Sequence, residues 1–443
     1  MSLARLAEQL RAGKLSPREA VQSYLDRIEA HAELNAYITV RAEEALAEAE
    51  APQPGPLYGV PVAVKDVIDV AGAPTTAGSK ILTGYVPARD ATVVERLRAA
   101  GAILLGKLNT HEFAYGATTT SPHFGPARNP WSRDRICGGS SGGSGAAAAA
   151  GLAAGTLGTD TAGSIRIPSC FCGVTGLRPT TGLVSNRGVF PVSWTFDAVG
   201  PIARSAEDCA LLLDAIAGSR TELAGGVRDL RVGVVETLLA RSDSEVAAAV
   251  RAAIAELASL GARVEPVEVP LHEEAGTIHQ LVMLPEAANI HHEWLRTRLA
   301  DYGPDVRARL LAGLFLPATA YVTGRRARRW YSERLRPLFD RFDLLAAPTM
   351  PIVAPRIGQE TVTLDGRELP YRLSVIPFNS PWSLAGLPAL SLPCGFVDGL
   401  PVGLVLVGRP FAEPTVLRAA HAFQGATDWH DRQPTDVAAA GRR

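Results

Sequence analysis

The chain has 443 residues, 47% of them apolar and 20% charged, which is the balance of a packed globular protein with room for one large α/β domain or two ordinary ones. Lys plus Arg number 44 against 45 Asp plus Glu, so no net field draws the chain to nucleic acid or to an anionic membrane. Five cysteines, an odd number with Cys170 and Cys172 too close to brace a fold, read as free thiols; neither C-x-x-C nor H-E-x-x-H spacing occurs, and no metal or cofactor is expected.

In chain order, 3–11 and 17–31 predict amphipathic helices, the second opened by Ser16-Pro17 as N-cap and first helical residue. This start does not resemble a signal peptide, and the apolar run 146–154 is too short to span a bilayer, so a cytoplasmic protein is expected. Helical periodicity continues to about 50, where Gln53-Pro-Gly-Pro56 interrupts it. The valine-rich stretch 58–64 predicts a buried strand ending on Lys65-Asp66, followed by a helix over 91–100 and a strand over 102–105. The same strand–helix–strand rhythm returns over 230–269 and predicts a large, mostly parallel mixed sheet with helices on both faces. Residues 273–341 read as helical and rich in Arg and Leu, and 346–355 and 389–407 return to strand character with a turn at Asp398-Gly399. No repeat and no linker divides the chain, so one α/β domain is expected.

The segment Cys137-Gly-Gly-Ser-Ser-Gly-Gly-Ser-Gly145 has four readings. A flexible linker is disfavoured by the Ala-rich helical stretch it runs into. A phosphate loop lacks the terminal Gly-Lys-Ser/Thr. A nucleophile elbow needs an apolar strand before it, and Asn129-Pro-Trp-Ser-Arg-Asp-Arg135 is none. The fourth reading joins it to Gly158-Thr-Asp-Thr-Ala-Gly-Ser-Ile-Arg-Ile-Pro168, a second small-residue loop that also displays a serine. Small residues let backbone N–H groups approach a substrate, as an oxyanion hole requires, and a serine nucleophile needs a base. Lys65, emerging from an apolar strand, can serve if burial lowers its pKa; an ion pair with Asp66 accounts for it equally well.

Together, Gly59-Val-Pro-Val-Ala-Val-Lys65-Asp66, Gly138-Gly-Ser-Ser-Gly-Gly143 and Gly158-Thr-Asp-Thr-Ala-Gly-Ser164-Ile-Arg-Ile-Pro168 closely resemble the amidase signature family. The resemblance runs on through Phe171-Cys-Gly-Val-Thr-Gly-Leu-Arg-Pro179, Phe196-Asp-Ala-Val-Gly-Pro201 and Ala385-Gly-Leu-Pro-Ala-Leu-Ser-Leu-Pro393, and is weakest over 220–340. It implies a Lys65–Ser140–Ser164 triad in which Ser140 follows a cis peptide bond and Ser164 is the nucleophile. It also implies an oxyanion hole from the backbone N–H groups of Thr161, Ala162, Gly163 and Ser164, with Ser141, Asp160 and Arg166 as supports. N-terminal helices (1–50), a catalytic core (58–215), a variable substrate-side segment (220–340) and a C-terminal return to the sheet (343–425) would make up the single domain, 1–443. Ala162 stands where many members have Gly, and Cys137 where proline is common.

The implied activity is hydrolysis of a carboxamide through a serine acyl-enzyme, with ester cleavage as a side reaction. Glutaminase subunits of tRNA-dependent amidotransferases, the alternative within the family, typically carry an Asn-Asp pair before the Leu-Ala-Gly motif and tend to be longer. Here Val375-Ile376 occupies that place. A stand-alone amidase is therefore expected, with a small-molecule amide as its partner, no nucleic acid and no membrane, and homodimerisation left open. A catalytically silent binding protein has no support, because all three triad positions are filled. The pocket is expected from 275–325 with Tyr115, Phe190 and Trp382, each of which can equally be core. The run Arg325, Arg326, Arg328, Arg329 reads as a solvated helix face.

Overall fold

Runs of Val, Leu and Ile pair into one sheet of eleven strands in the computed structural model, which describes residues 1–364 and 366–434. The strands are β1 Tyr37–Val40, β2 Pro61–Lys65, β3 Ile103–Leu108, β4 Gly155–Asp160, β5 Thr175–Arg178, β6 Ala198–Ala203, β7 Arg231–Val235, β8 Arg263–Val267, β9 Leu344–Pro348, β10 Ala389–Val397 and β11 Leu400–Gly408. Their order across the sheet is β1-β3-β2-β4-β6-β5-β10-β11-β9-β7-β8.

The large mixed α/β sheet is present, but its direction differs from the mostly parallel arrangement expected. Parallel pairing is confined to β3/β2, β2/β4, β9/β7 and β7/β8. The centre, from β4 through β6, β5, β10 and β11 to β9, is antiparallel throughout, as is the β1/β3 edge. Parallel neighbours need a long crossover, whereas antiparallel ones can be joined by a tight turn. The β10–β11 hairpin shows this: Asp398 and Gly399 are its two loop residues, both at positive φ (50° and 75°), the Asp-Gly chemistry of a type I′ turn.

The N-terminal helices are Leu3–Arg11 (α1) and Pro17–Ala30 (α2). Ser16 caps α2, and Glu19 returns the bond to the Ser16 backbone. Helix does not fill the whole of 1–50, because Tyr37-Ile-Thr-Val40 forms the edge strand β1. Its β-branched residues fit a pleated edge better than a helix.

Helix α3, Gly142–Ala149, is buried along its whole length and packs against β4 and against α4, Arg166–Cys172. Glycine is required where it passes β3: a Cβ on Gly143 would stand 2.5 Å from the Asn109 backbone nitrogen. Beyond the sheet lie α5 (His272–Ile290), α6 (Pro304–Leu314), α7 (Ala318–Arg341) and α8 (Tyr371–Ala385), with α5 packed on the other three. Among the described residues no helix is long and apolar enough to cross a membrane. All five cysteines are free and buried.

Candidate active site

Strand β2 is buried at every position and delivers Lys65 into the interior at its C-terminal end. Lys65 Nζ lies 2.6 Å from Ser140 Oγ and 2.8 Å from Thr159 Oγ1. It has no ion-paired acid among the described residues: Asp66 is ion-paired with buried Lys107 at 3.0 Å, which removes the simple Lys65–Asp66 reading. Complete burial lowers the Lys65 pKa from 10.5 to about 7, against the opposing pull of the Asp197 and Asp160 charges. An amine of that pKa is about half neutral at pH 7 and increasingly so above it, and its neutral form can accept a proton.

Ser140 sits in the loop leading into α3, after a cis Gly139–Ser140 peptide. Its carbonyl accepts from the His111 backbone N–H at 3.1 Å and from the Thr110 and Thr119 hydroxyls at 3.1 and 3.2 Å. Ser141 ties the two serine loops together: its backbone N–H donates to the Ser164 carbonyl at 3.2 Å, and its hydroxyl donates to the Thr159 carbonyl at 3.2 Å.

Asp160, at the end of β4, organises the second loop. Its carboxylate accepts from the N–H groups of Gly163 (2.8 Å) and Ile165 (3.1 Å) and from Arg166 Nε and Nη2 at 3.0 and 2.9 Å. Arg178 lies at 3.3 Å on the same carboxylate. Burial alone would raise the Asp160 pKa, but the two guanidinium charges outweigh it and hold the carboxyl well below the usual range. Arg166 also reaches the Asn379 carbonyl and the Ser383 hydroxyl, locking the loop to α8. Of the four N–H groups expected to face an oxyanion, that of Gly163 is thus committed to Asp160; those of Thr161, Ala162 and Ser164 have no such bond among the described residues.

Thr161 is fixed from two sides. Its hydroxyl donates to Asp197 at 2.6 Å, and its carbonyl accepts from His279 Nε2 at 3.0 Å, which sets the tautomer of that buried ring. Burial pushes Asp197 up to about 6 and His279 down to about 3.

Ser164 and Gly139 open on a narrow cavity. Tyr115 lines it, as do Met283, Gln280 and Arg309 from the 275–325 region. Phe190 and Trp382 do not line it. Phe190 stacks on Trp294 at 6.0 Å and meets Phe113 at a tilt at 5.1 Å, and Trp382 is fully buried with its indole N–H on the Phe378 carbonyl. The cavity also contains Arg372, Val375 and Ile376 of α8, which sequence reasoning did not assign to it as lining residues. The basic run on α7 is only partly a solvated face. Arg328 donates to the Leu384 carbonyl and covers the Phe196 ring, and Arg325 approaches Glu286 at 3.5 Å.

A family model described as Amidase matches residues 19–417. A curated relative, a glutamyl-tRNA(Gln) amidotransferase subunit from Moorella thermoacetica, is 42% identical, with 97% of each chain covered. Two solved structures superpose with a TM-score of 0.92. One is a "vestigial protein complex" bearing on "the evolutionary origins of an s-triazine catabolic enzyme" (38% identity, 96% of this chain and 98% of that one). The other is described as an amidase (36%, 96% and 100%).

These likenesses correct two expectations. The preference for a stand-alone amidase finds no support in relatives named as amidotransferase subunits, although alignments of 480 and 481 positions against 443 residues show those relatives to be longer, as expected of them. The expectation of no nucleic-acid partner is overturned by the same relatives, which are named for a tRNA substrate and as one subunit of an assembly. What holds at the level of chemistry is firm: the chain is a hydrolase of carbon–nitrogen amide bonds and belongs to the amidase signature family.

Proposed function

We propose that the chain releases ammonia from a small primary carboxamide such as glutamine, working as the amidase subunit of an amidotransferase-type assembly that serves a tRNA-borne substrate. The observation that carries this reading is the end-to-end likeness to curated proteins named as such subunits, 42% identical in one case.

In the proposed mechanism neutral Lys65 accepts a proton from Ser140, which in turn takes the proton of Ser164 as Ser164 Oγ attacks the amide carbon. The carbonyl π electrons move onto oxygen, and N–H groups of the 161–164 loop hold the oxyanion. The tetrahedral intermediate collapses, the carbon–nitrogen bond breaks, and the proton returns through Ser140 to the nitrogen, which leaves as ammonia. Water then attacks the ester carbon, sends a proton along the same relay, and frees the carboxylate while Ser164 recovers its hydrogen. The low pKa of Lys65 supports its part, since an ammonium has no lone pair with which to begin.

One observation favours a second reading, an amidase acting by itself on a different small amide. Ile376 lines the cavity where glutaminase subunits typically place an acid, so the ammonium of glutamine would meet an apolar wall.

The test compares ammonia release from glutamine and from glutaramate, its deaminated analogue, with and without candidate partner subunits and glutamylated tRNA. Glutamine hydrolysis that rises on assembly supports the first reading. Full-rate hydrolysis of glutaramate by the isolated chain, with glutamine refused under every condition, replaces it with the second.

A further inference from the structure

The segment from His111 to Thr119 lies between the serine loop and α6. Its backbone is held against preference: Phe113, Ala114 and Thr119 sit at φ of 51°, 56° and 55°, the left-handed region that residues with a Cβ rarely adopt. It presses closely on the serine loop, since a Cβ on Gly139 would stand 2.6 Å from the Thr118 nitrogen. The same segment carries α6, which walls the cavity through Arg309. Glu112 accepts from the Gly303 N–H just ahead of α6 at 2.8 Å, and Arg309 donates to the Tyr115 carbonyl.

His111 touches both sides. Its backbone N–H donates to the Ser140 carbonyl at 3.1 Å. Its buried ring reaches Asp305, in the first turn of α6, through Nε2 at 2.9 Å. A carboxylate only accepts, and burial lowers the pKa of the imidazole against the pull of Asp305. Nε2 therefore carries the proton, and Nδ1 accepts from the Thr118 hydroxyl at 3.2 Å. Thr119, next in the chain, donates its hydroxyl to the Gly138 and Ser140 carbonyls at 2.9 and 3.2 Å. The two bonds of the ring thus join α6 to the residues that hold the Ser140 carbonyl. Among the described residues neither His111 nor Asp305 lines the cavity, so contact with substrate does not account for the pair.

We propose that His111 is a positioning residue for the proton relay: by tying Asp305 to the loop behind Ser140, it keeps Ser140 Oγ within reach of Lys65 when α6 is seated over the cavity. The assignment rests on the reading that Ser140 passes a proton from Ser164 to Lys65. Ser140 Oγ and Lys65 Nζ are 2.6 Å apart, and a small shift of the loop lengthens that step without altering the cavity wall. Loss of the tie therefore falls on the chemical step more than on substrate binding.

The test cuts the tie at its far end. The Asp305 side chain is half-exposed and α6 keeps its packing on α5, so Asp305→Ala leaves the fold standing. Ammonia release is followed from whichever of glutamine and glutaramate the unaltered chain hydrolyses. Asp305→Ala should lose about tenfold to a hundredfold in kcat with little change in KM. Asp305→Asn, whose amide oxygen still accepts from Nε2, should recover most of that rate. His111→Asn keeps an acceptor for Thr118 but not the reach to Asp305; it should fall as far as Asp305→Ala, and the double variant no further. If His111→Asn does not fold, the two Asp305 variants decide. A change in KM alone, no rescue by Asp305→Asn, or additive losses in the double variant overturn the inference and leave the amidase reading intact. If neither amide is hydrolysed, the rate at which phenylmethanesulfonyl fluoride labels Ser164, read by intact mass, takes the place of kcat, because it needs an activated serine but no amide. The same ranking of variants is expected, and equal labelling rates overturn the inference. An unaltered chain that is not labelled overturns the serine relay itself, and this assignment with it.

Discussion

Replacing Lys65 by methionine separates its burial from its chemistry. Its pKa falls from 10.5 to about 7 on folding, because the folded chain disfavours the ammonium. Between those values the unfolded chain binds one more proton than the folded one, so stability rises with pH by about 1.4 kcal/mol per pH unit. Summed over the window, burial of Lys65 costs on the order of 5 kcal/mol at and below pH 7 and nothing above pH 10.5. Lys65→Met removes the titration, and all other groups cancel in the difference between the two proteins. Urea unfolding at pH 8 and pH 10 should show the unaltered chain gaining about 3 kcal/mol relative to Lys65→Met. The absolute offset depends on the orphaned Ser140 and Thr159 hydroxyls, each worth about 1–3 kcal/mol, but the slope does not. A difference that stays flat between the two pH values would mean that Lys65 is charged in the folded protein, and the base assignment would fall with it.

The same titration fixes the activity profile: kcat/KM should climb about tenfold per pH unit below about pH 7 and level off above it, and undiminished activity at pH 5.5 would rule Lys65 out as the base. Asp160→Asn should destabilise the chain by about 3–5 kcal/mol in chemical denaturation, since it leaves Arg166 and Arg178 buried without their acid. Gly163→Ala should lower kcat by at least about tenfold, because φ there is +122° and the new Cβ would stand 2.7 Å from the Asn379 side chain, displacing the loop that carries Ser164.

Much of the site was legible because its chemistry constrains residue type. Loops that bring N–H groups close to a substrate need Gly, Ala and Ser, and the run of valines before Lys65 announces a buried amine. Whether Lys65 would pair with Asp66 was not legible; that depended on Lys107, more than forty residues away and on the adjacent strand. Tyr115 lines the cavity, whereas Phe190 lies among other aromatic rings and Trp382 is buried against its own helix, since an aromatic in a motif looks alike in core and pocket. Arg309 and Arg372 were hidden for the opposite reason: arginines on helices ordinarily face water, and only the docking of α6 and α8 over the serine loops turns these two inward. Strand direction was misjudged in the centre of the sheet because pairing between β5, β6 and β10 joins distant segments that no local pattern reports. Near-neutral net charge, which was taken to exclude nucleic acid, describes the chain by itself, whereas the curated relatives are named as one subunit of an assembly.

The central claim is that Ser164 carries the acyl group. A turnover with glutaramate or glutamine, quenched in acid within the first cycle and digested, should yield an acyl adduct mapped by mass spectrometry to Ser164 and absent from Ser164→Ala. An adduct on Ser140 or Ser141 instead, or full amidase activity in Ser164→Ala, would contradict the account.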